Sequence, residues 1–257
     1  MAEPERLQRT DDATLMVLKD PRIQESSGLA RSVRHQGVLY THNDAGHDPV
    51  VFAVGSDGET RAALDLHRAP AADWEDIAVT GDGRVWVGDI GGNAKGRSTV
   101  SVVVFQEPKR LVDGAPDWVE YKLDYPDGRH NAEAILVNPE TFRVYVVSKG
   151  PPGESMVYVA PRKLERTRPN RLEPLTPAPP SITAGSFAPD DSGRFALRNY
   201  RFAFIYDRWD EEPRQIELPR IPAGESLAMR ADGDLLIGSE GPGSEVVQVP
   251  DTAKPSG

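Results

Sequence analysis

Five segments of the chain, "ESSGLA", "DWEDIAV", "HNAEAIL", "ITAGSF" and "GESLAM", place Ser27, Glu75, Glu133, Thr183 and Glu225 at one equivalent position ahead of an apolar run. Three carboxylates and two hydroxyls in a shared register are a chemically pointed set if the fold gathers them. Crowded carboxylates repel one another, so either their pKa values rise or a cation neutralises them. An all-oxygen set without His or Cys suits a hard ion, Ca²⁺ ahead of Mg²⁺ because calcium tolerates irregular, higher coordination. These five residues are the candidate metal ligands. A single strand-initial glutamate more often satisfies backbone N–H groups or a neighbouring side chain. It is the recurrence that favours a cation.

A second polar set follows the apolar runs that come after each turn. It comprises His42 and Asp44 in "THND", Asp89 and Asn93 in "GDIGGN", Lys149 in "SK", Arg198 and Tyr200 in "RNY", and Glu240 in "SE". Lys149 and Arg198 suit a phosphate or carboxylate on the substrate, with the metal as Lewis acid. Asp44 or Glu240 would serve as general base on a water, and Asp89 is the third candidate catalytic acid. His42, Asn93 and Tyr200 complete the candidate substrate contacts. Solvated polar residues commonly follow strands, so this set matters only if it converges on one concave face.

Other motifs carry less. "GDIGGNAKG" has the spacing of neither phosphate-loop signature and reads as a loop that lets backbone approach the site. No Gly-x-Ser-x-Gly elbow occurs, which counts against an α/β-hydrolase. The five histidines show no metal-ligand spacing; His42 and His130 read as structural first and as proton shuttles second. Trp74 reads as packing.

The elements that must position these residues follow one grammar. Each of five segments gives a short apolar strand, a Gly/Asp/Pro turn and a second apolar strand ending in polar residues: a repeated β-hairpin. A third strand follows each hairpin ("VVFAVG", "TVSVVVF", "SMVYVA", "FAFIYD", "EVVQV"), and a fourth follows in four of them ("TRAALDL", "WVEYKL", "RLEPL", "RQIELP"). "TLMVLKD" at 14–20 has no hairpin of its own and is free to complete the last sheet. The expected fold is an all-β, five-bladed β-propeller over 1–257 as one domain, its blades opening near 27, 75, 133, 183 and 225, its ring closed by the N-terminal strand. A β-sandwich would explain the strand count but not the shared register. The Pro-rich segment 165–180 then lies between blades three and four and is no domain boundary. In a propeller the first strands line the central channel, so Ser27, Glu75, Glu133, Thr183 and Glu225 would form a ring.

Composition agrees. The 23 Gly and 23 Pro in 257 residues favour many turns over long helices. A net charge of −10 argues against nucleic acid and anionic membranes as partners, leaving a small molecule. The absence of cysteine excludes disulfides, thiolate metal sites and a cysteine nucleophile. "MAEPERLQRTDD" lacks the apolar core of a signal peptide, so the expectation is a cytoplasmic chain, although a trimmed precursor would read the same.

At the ring positions the sequence resembles the calcium-activated nucleotidases, or apyrases, five-bladed propellers with calcium in the central channel. Their blade-opening motifs carry Ser, Glu, Glu, Ser and Glu, matched here by Ser27, Glu75, Glu133, Thr183 and Glu225 with Thr183 a conservative departure. The resemblance implies that these are calcium ligands and, through "YTHNDAG", that Asp44 stands where a catalytic acid would be. The chain also resembles a group of actinobacterial propeller proteins with "YPDG", "EAILVNP" and "GSEG" segments. The leading expectation is metal-dependent hydrolysis of a phosphoester or phosphoanhydride, the substrate a small anion. Alternatives are a lyase, cyclase or isomerase of specialised metabolism at the same acidic metal site, and a non-catalytic binding scaffold with a structural metal.

Overall fold

The runs that look apolar on both faces are strands sandwiched between two neighbouring sheets. The computed structural model describes residues 14–92, 97, 99–190 and 192–251, and among these 21 strands and no helix occur. They form five sheets arranged as a five-bladed β-propeller. Blade one runs through Ser26–Arg31, Val38–Asn43, Val50–Gly55 and Thr60–Asp65; blade two through Trp74–Val79, Arg84–Asp89, Thr99–Gln106 and Trp118–Asp124. Blade three comprises Ala132–Val137, Val144–Ser148, Met156–Val159 and Glu173–Pro177; blade four Ala184–Phe187, Phe195–Arg198, Phe202–Tyr206 and Arg214–Glu217. Blade five contributes Ser226–Met229, Leu235–Gly238 and Glu245–Val249, and Thr14–Val17 completes it as expected, pairing antiparallel with Glu245–Val249. Every first strand packs beside the next, and that of blade five packs beside that of blade one, so the ring is closed.

Period-2 alternation builds the core. Along Ala132–Val137, Ile135 and Val137 join the cluster shared with blade two, around Trp86, Val102 and Tyr158, while Ala134 and Leu136 join the one shared with blade four, around Phe195 and Phe204. Each of the five blade interfaces holds such a cluster. Full burial of one Leu or Phe contributes about 1.5–3 kcal/mol, so these interfaces, not any single sheet, hold the ring together.

The Pro-rich segment is more than a connection. Asn170–Arg171 pairs in parallel with Trp118–Asp124 of blade two, and Glu173–Pro177 is the outer strand of blade three, so the segment stitches two blades. Buried Asn170 fixes the crossing, donating to the carbonyls of Lys122 and Glu165. No helix among the described residues is long and apolar enough to cross a membrane.

Candidate metal centre and active site

The ring positions are aimed by irregular backbone. In blades one to three the pairing of first and second strands slips by one residue at the ring position: Ser26 faces Asn43 and Gly28 faces His42, leaving Ser27 extra. Glu75 is extra in the same way between Trp74 and Asp76, and Glu133 between Ala132 and Ala134. A β-bulge of this kind re-aims one side chain out of the ladder, which is why bulges gather near sites. Thr183 and Glu225 do without one, standing just before the first strands of blades four and five.

All five ring residues are buried, Glu75 at 2%, Glu133 at 4% and Glu225 at 9% exposure. Ser27 Oγ donates to the Glu75 carbonyl at 2.8 Å, and Thr183 Oγ1 to the Gly224 carbonyl at 3.4 Å. Glu133 takes Asn131 Nδ2 at 2.7 Å and Lys149 Nζ at 3.2 Å; Glu225 takes the Tyr200 hydroxyl at 3.0 Å. Burial raises the Glu133 pKa, and Lys149 offsets that only in part. Burial, then the charges of Glu133, Asp44 and Asp73, push Glu75 up to about 12.

Glu75 faces a second group as well. Carboxylate oxygens of Asp44, Asp73 and Glu75 lie within 4.8 Å of one another. Glu75 Oε1 is buried without a hydrogen-bond partner. The glycine-rich loop crosses here as anticipated: a Cβ on Gly91 would collide with Glu75 Oε1 and the Asp73 carboxyl, so only glycine lets the backbone pass. Asp44, half-buried, is pushed up to about 6 by burial and by the charges of Asp73 and Glu133. Glu240, also half-buried, is pushed up to about 7 by burial and by Glu225, Asp44 and Glu133.

The structure thus brings Asp44, Glu75, Glu133, Glu225, Glu240, Lys149 and Tyr200 into one electrostatic neighbourhood, with Tyr200 48% exposed at its edge and Lys149 Nζ 5.3 Å from its ring centroid. Three sequence candidates are committed to other contacts, Arg198 while still in the field of Glu225 and Tyr200. His42 is fully buried, edge-on to Trp74 at 5.5 Å, and burial lowers its pKa to about 4, so it is neutral packing. Arg198 is fully buried and donates to the carbonyls of Ser226 and Gly238 at 3.0 and 3.4 Å, joining blade four to blade five. Asp89 accepts from Asp73 N at 2.7 Å and pairs with Arg97 at 2.5 Å, which makes it a support for the Asp73 loop. Asn93 lies outside the described residues.

Sequence reasoning missed Asp73, Asn131 and Asp76. The first two had a signal: each stands two residues before a ring glutamate, and in extended chain i and i+2 share a face. Asp76 had none. Its buried carboxylate accepts from Ile77 N at 2.9 Å, Ile135 N at 3.1 Å and Gly185 N at 3.2 Å, tying the first strands of blades two, three and four across the channel. Blade one approaches the same point through Gly28, where a Cβ would meet Asp76 Cα at 3.0 Å.

No family model matches the chain, and no curated protein matches its sequence. Among solved structures it is similar to a gluconolactonase of Xanthomonas campestris described as important in glucose secondary metabolic pathways, at 16% identity over 93% of this chain and 91% of that one, TM-score 0.51. It is also similar to the soluble aldose sugar dehydrogenase of Escherichia coli in its apo-form, at 9% identity over 90% of this chain and 97% of that one, TM-score 0.51. Identities this low speak for the propeller fold alone.

Proposed function

We propose that the chain is a divalent-cation-dependent hydrolase of a neutral, hydroxyl-rich carbonyl compound, a sugar lactone being the first to try. The observation that carries this is the charge at the mouth. Asp44, Asp73, Glu75, Glu133, Glu225 and Glu240 gather there, while among the described cations nearby Lys149 is engaged on Glu133 and Arg97 on Asp89, and Arg198, fully buried with one nitrogen unpartnered, donates to backbone carbonyls. A phosphorylated substrate was expected on the strength of Lys149 and Arg198 together, and the burial of Arg198 removes half of that pair. One divalent ion leaves such a mouth anionic and a second brings it only near neutrality, so no net positive charge awaits a polyanion.

The donor set has the chemistry a hard cation takes, being all oxygen with the Glu75 Oε1 atom unsatisfied, although the carboxylates of Glu75, Glu133 and Glu225 do not all lie within 4.8 Å of one another. Ser27, Glu75, Glu133, Thr183 and Glu225 would hold it, calcium by preference and magnesium second. Once bound, the cation would polarise the substrate carbonyl as a Lewis acid. Glu240, half-buried in the field of Glu225 and Asp44, is the group assigned to take the proton of a water as its oxygen joins the carbonyl carbon. It then returns that proton to the ring oxygen as the C–O bond breaks, giving the hydroxy acid. Tyr200, half-exposed beside Glu225 and Lys149, is placed to meet substrate hydroxyls.

The gluconolactonase of the same fold prompts the choice of first substrate to try, and the ring match to calcium-activated nucleotidases supports the choice of ion. The test is hydrolysis of sugar lactones and neutral esters against nucleoside diphosphates and phosphomonoesters, each with Ca²⁺ or EGTA. Calcium-dependent lactone opening, abolished in Glu240→Gln, is expected. Turnover of diphosphates but not lactones would sink the substrate reading. Turnover of neither, with calcium still raising Tm, would leave a binding scaffold.

A further inference from the structure

The axial ring is not the tightest gathering of acids in the molecule. Ligand atoms of Asp44, Asp73 and Glu75 fall within 4.8 Å of one another, and among the described residues no other trio of His, Cys, Asp or Glu does. They come from the two blades flanking one interface: Asp44 follows the second strand of blade one, Asp73 precedes the first strand of blade two, and Glu75 sits on that strand's bulge. Two of the three are buried, at 7% and 2% exposure. Three acids at this separation would spread apart in water unless something held them.

What holds them is built from the backbone side. Asp44 Oδ1 takes Ala45 N at 2.5 Å; the Asp73 segment is pinned by its own N–H on Asp89, which Arg97 anchors in turn. Gly91 N donates to the Asp73 carbonyl at 3.2 Å, and its backbone packs so closely on Glu75 Oε1 and the Asp73 carboxyl that a Cβ would collide with both. Glu75 Oε1 is buried and accepts no hydrogen bond, although the Glu75 carboxylate lies within ligand distance of Asp44 and Asp73. A buried carboxylate oxygen left without a partner is costly, so a fold that keeps one beside two further acids is arranged for a ligand that satisfies it. The other flank of Glu75 lies against Glu133 on the axial ring.

We infer that Asp44, Asp73 and Glu75 form a second divalent-cation seat, off the axis between blades one and two, with Glu75 shared between it and the axial ring. Asp44 is then a metal ligand, and Glu240 is left as the base. A carboxylate shared by two seats places two cations within a few ångströms, the arrangement of two-metal sites in which ions about 3.5–4 Å apart clamp a reacting group. The seat is open on one side, because Asp44 is half-exposed and the three residues supply few of the six to eight oxygens calcium takes. Water or a substrate oxygen completes it.

The proposal stands apart from the axial reading except at Glu75, and the test separates them. Full-length protein, stripped with EGTA, is dialysed against Ca²⁺ and against Mn²⁺, bound metal is counted by elemental analysis, and the Mn²⁺ form is examined by EPR. Wild type is expected to hold two equivalents, with spin-coupled Mn²⁺ signals. Asp73→Asn and Asp44→Asn should each hold one, uncoupled, the lost seat weakened at least about 100-fold; Glu225→Gln should lose the other. Asp44→Asn guards against misfolding, since a half-exposed loop residue is replaced by its near-isostere, with circular dichroism as the check. One equivalent in wild type, lost in Glu225→Gln and kept in Asp73→Asn, overturns the second seat and leaves the axial one. One equivalent lost in Asp73→Asn but kept in Glu225→Gln supports the off-axis seat and overturns the axial one. Two equivalents retained in both Asp73→Asn and Asp44→Asn overturn the proposal, as does no bound metal.

Discussion

On one side of the channel mouth, Glu133 and Glu225 find donors within the chain: Asn131 and Lys149 for the first, Tyr200 for the second. On the other side, Asp44, Asp73 and Glu75 face one another, and a buried oxygen of Glu75 accepts nothing. The two halves follow one repeat pattern. They differ in what the second strand of each hairpin brings back. Blade three returns Lys149 beside its own Glu133, whereas the ends of blades one and two return Asp44 and Asp89. One half therefore carries its own cation, and in the other burial and the crowding of acids raise the pKa values of both Asp44 and Glu75.

Glu75→Gln breaks that difference most directly. It removes the charge common to both proposed seats, so the gain in stability from calcium should disappear, a gain worth ~2.7 kcal/mol at 100 times Kd in wild type. In EGTA the same variant should melt above wild type, because mutual repulsion and a buried carboxyl are relieved together. Thermal unfolding with EGTA and with Ca²⁺ reads both effects. A calcium response as large as that of wild type would show that the acid cluster is not where the ion sits.

Lys149→Met sharpens the comparison by making the two halves alike. It strips Glu133 of its cation, leaving a buried carboxylate unpaired, and loss of one partner from a buried pair costs up to about 3–5 kcal/mol, less here because Lys149 is partly exposed. The metal-free protein should therefore lose stability, while calcium binds more tightly, by roughly 3–10-fold as one repelling charge is removed. Calorimetric titration gives the affinity. Weaker calcium binding would mean that Lys149 orders the ring.

pH reports on the same half through Glu240. Its carboxyl titrates at about 7 in the folded state, against ~4.3 in an unfolded chain, so the folded state binds the extra proton between those values. Stability from this group is full below about pH 4 and is lost as pH rises through 7. In EGTA, the stability of wild type relative to Glu240→Gln should climb from pH 7 to pH 5. The comparison cancels His42, which works the other way because it is buried neutral with a pKa of about 4. Asp20, held at about 2 by its hydrogen bonds to Arg22 against the opposing effect of burial, acts only below about pH 4. A flat difference between pH 7 and 5 would place Glu240 outside the field of the acids.

Blade count and closing strand were legible in the sequence, as was the place of Ser27, Glu75, Glu133, Thr183 and Glu225 at the heads of first strands, because each rests on local pattern: alternation, turn residues and one polar residue ahead of an apolar run. The partition of the mouth was not. Whether Arg198 faces substrate or carbonyls depends on how blade five packs on blade four, and its guanidinium reaches Ser226 and Gly238 across that interface. Asp76 serves backbone from blades three and four, more than 50 and 100 positions away in the chain, and no spacing rule connects them. Asp73 and Asn131 fall between these cases. Their two-residue offset from a ring glutamate was visible, but it acquires meaning only once the bulges aim Glu75 and Glu133 at the axis.

The smallest expected effect is also the most discriminating. Tyr200→Phe deletes the hydroxyl that donates to Glu225 Oε1 while keeping the ring beneath Lys149. One half-exposed hydrogen bond contributes about 0.5–1.5 kcal/mol, so the melting temperature should fall by only a few degrees. Calcium affinity should change by less than about threefold, since Glu225 keeps its charge and gains freedom to turn toward an ion. Substrate KM, not kcat, should carry any loss if the hydroxyl meets substrate as proposed. The division of the mouth fails if Tyr200→Phe weakens calcium as severely as Glu75→Gln does, because the phenol would then be a ligand and the half that carries its own cation would be part of the metal seat. Calorimetric titration of the two variants side by side decides between these outcomes.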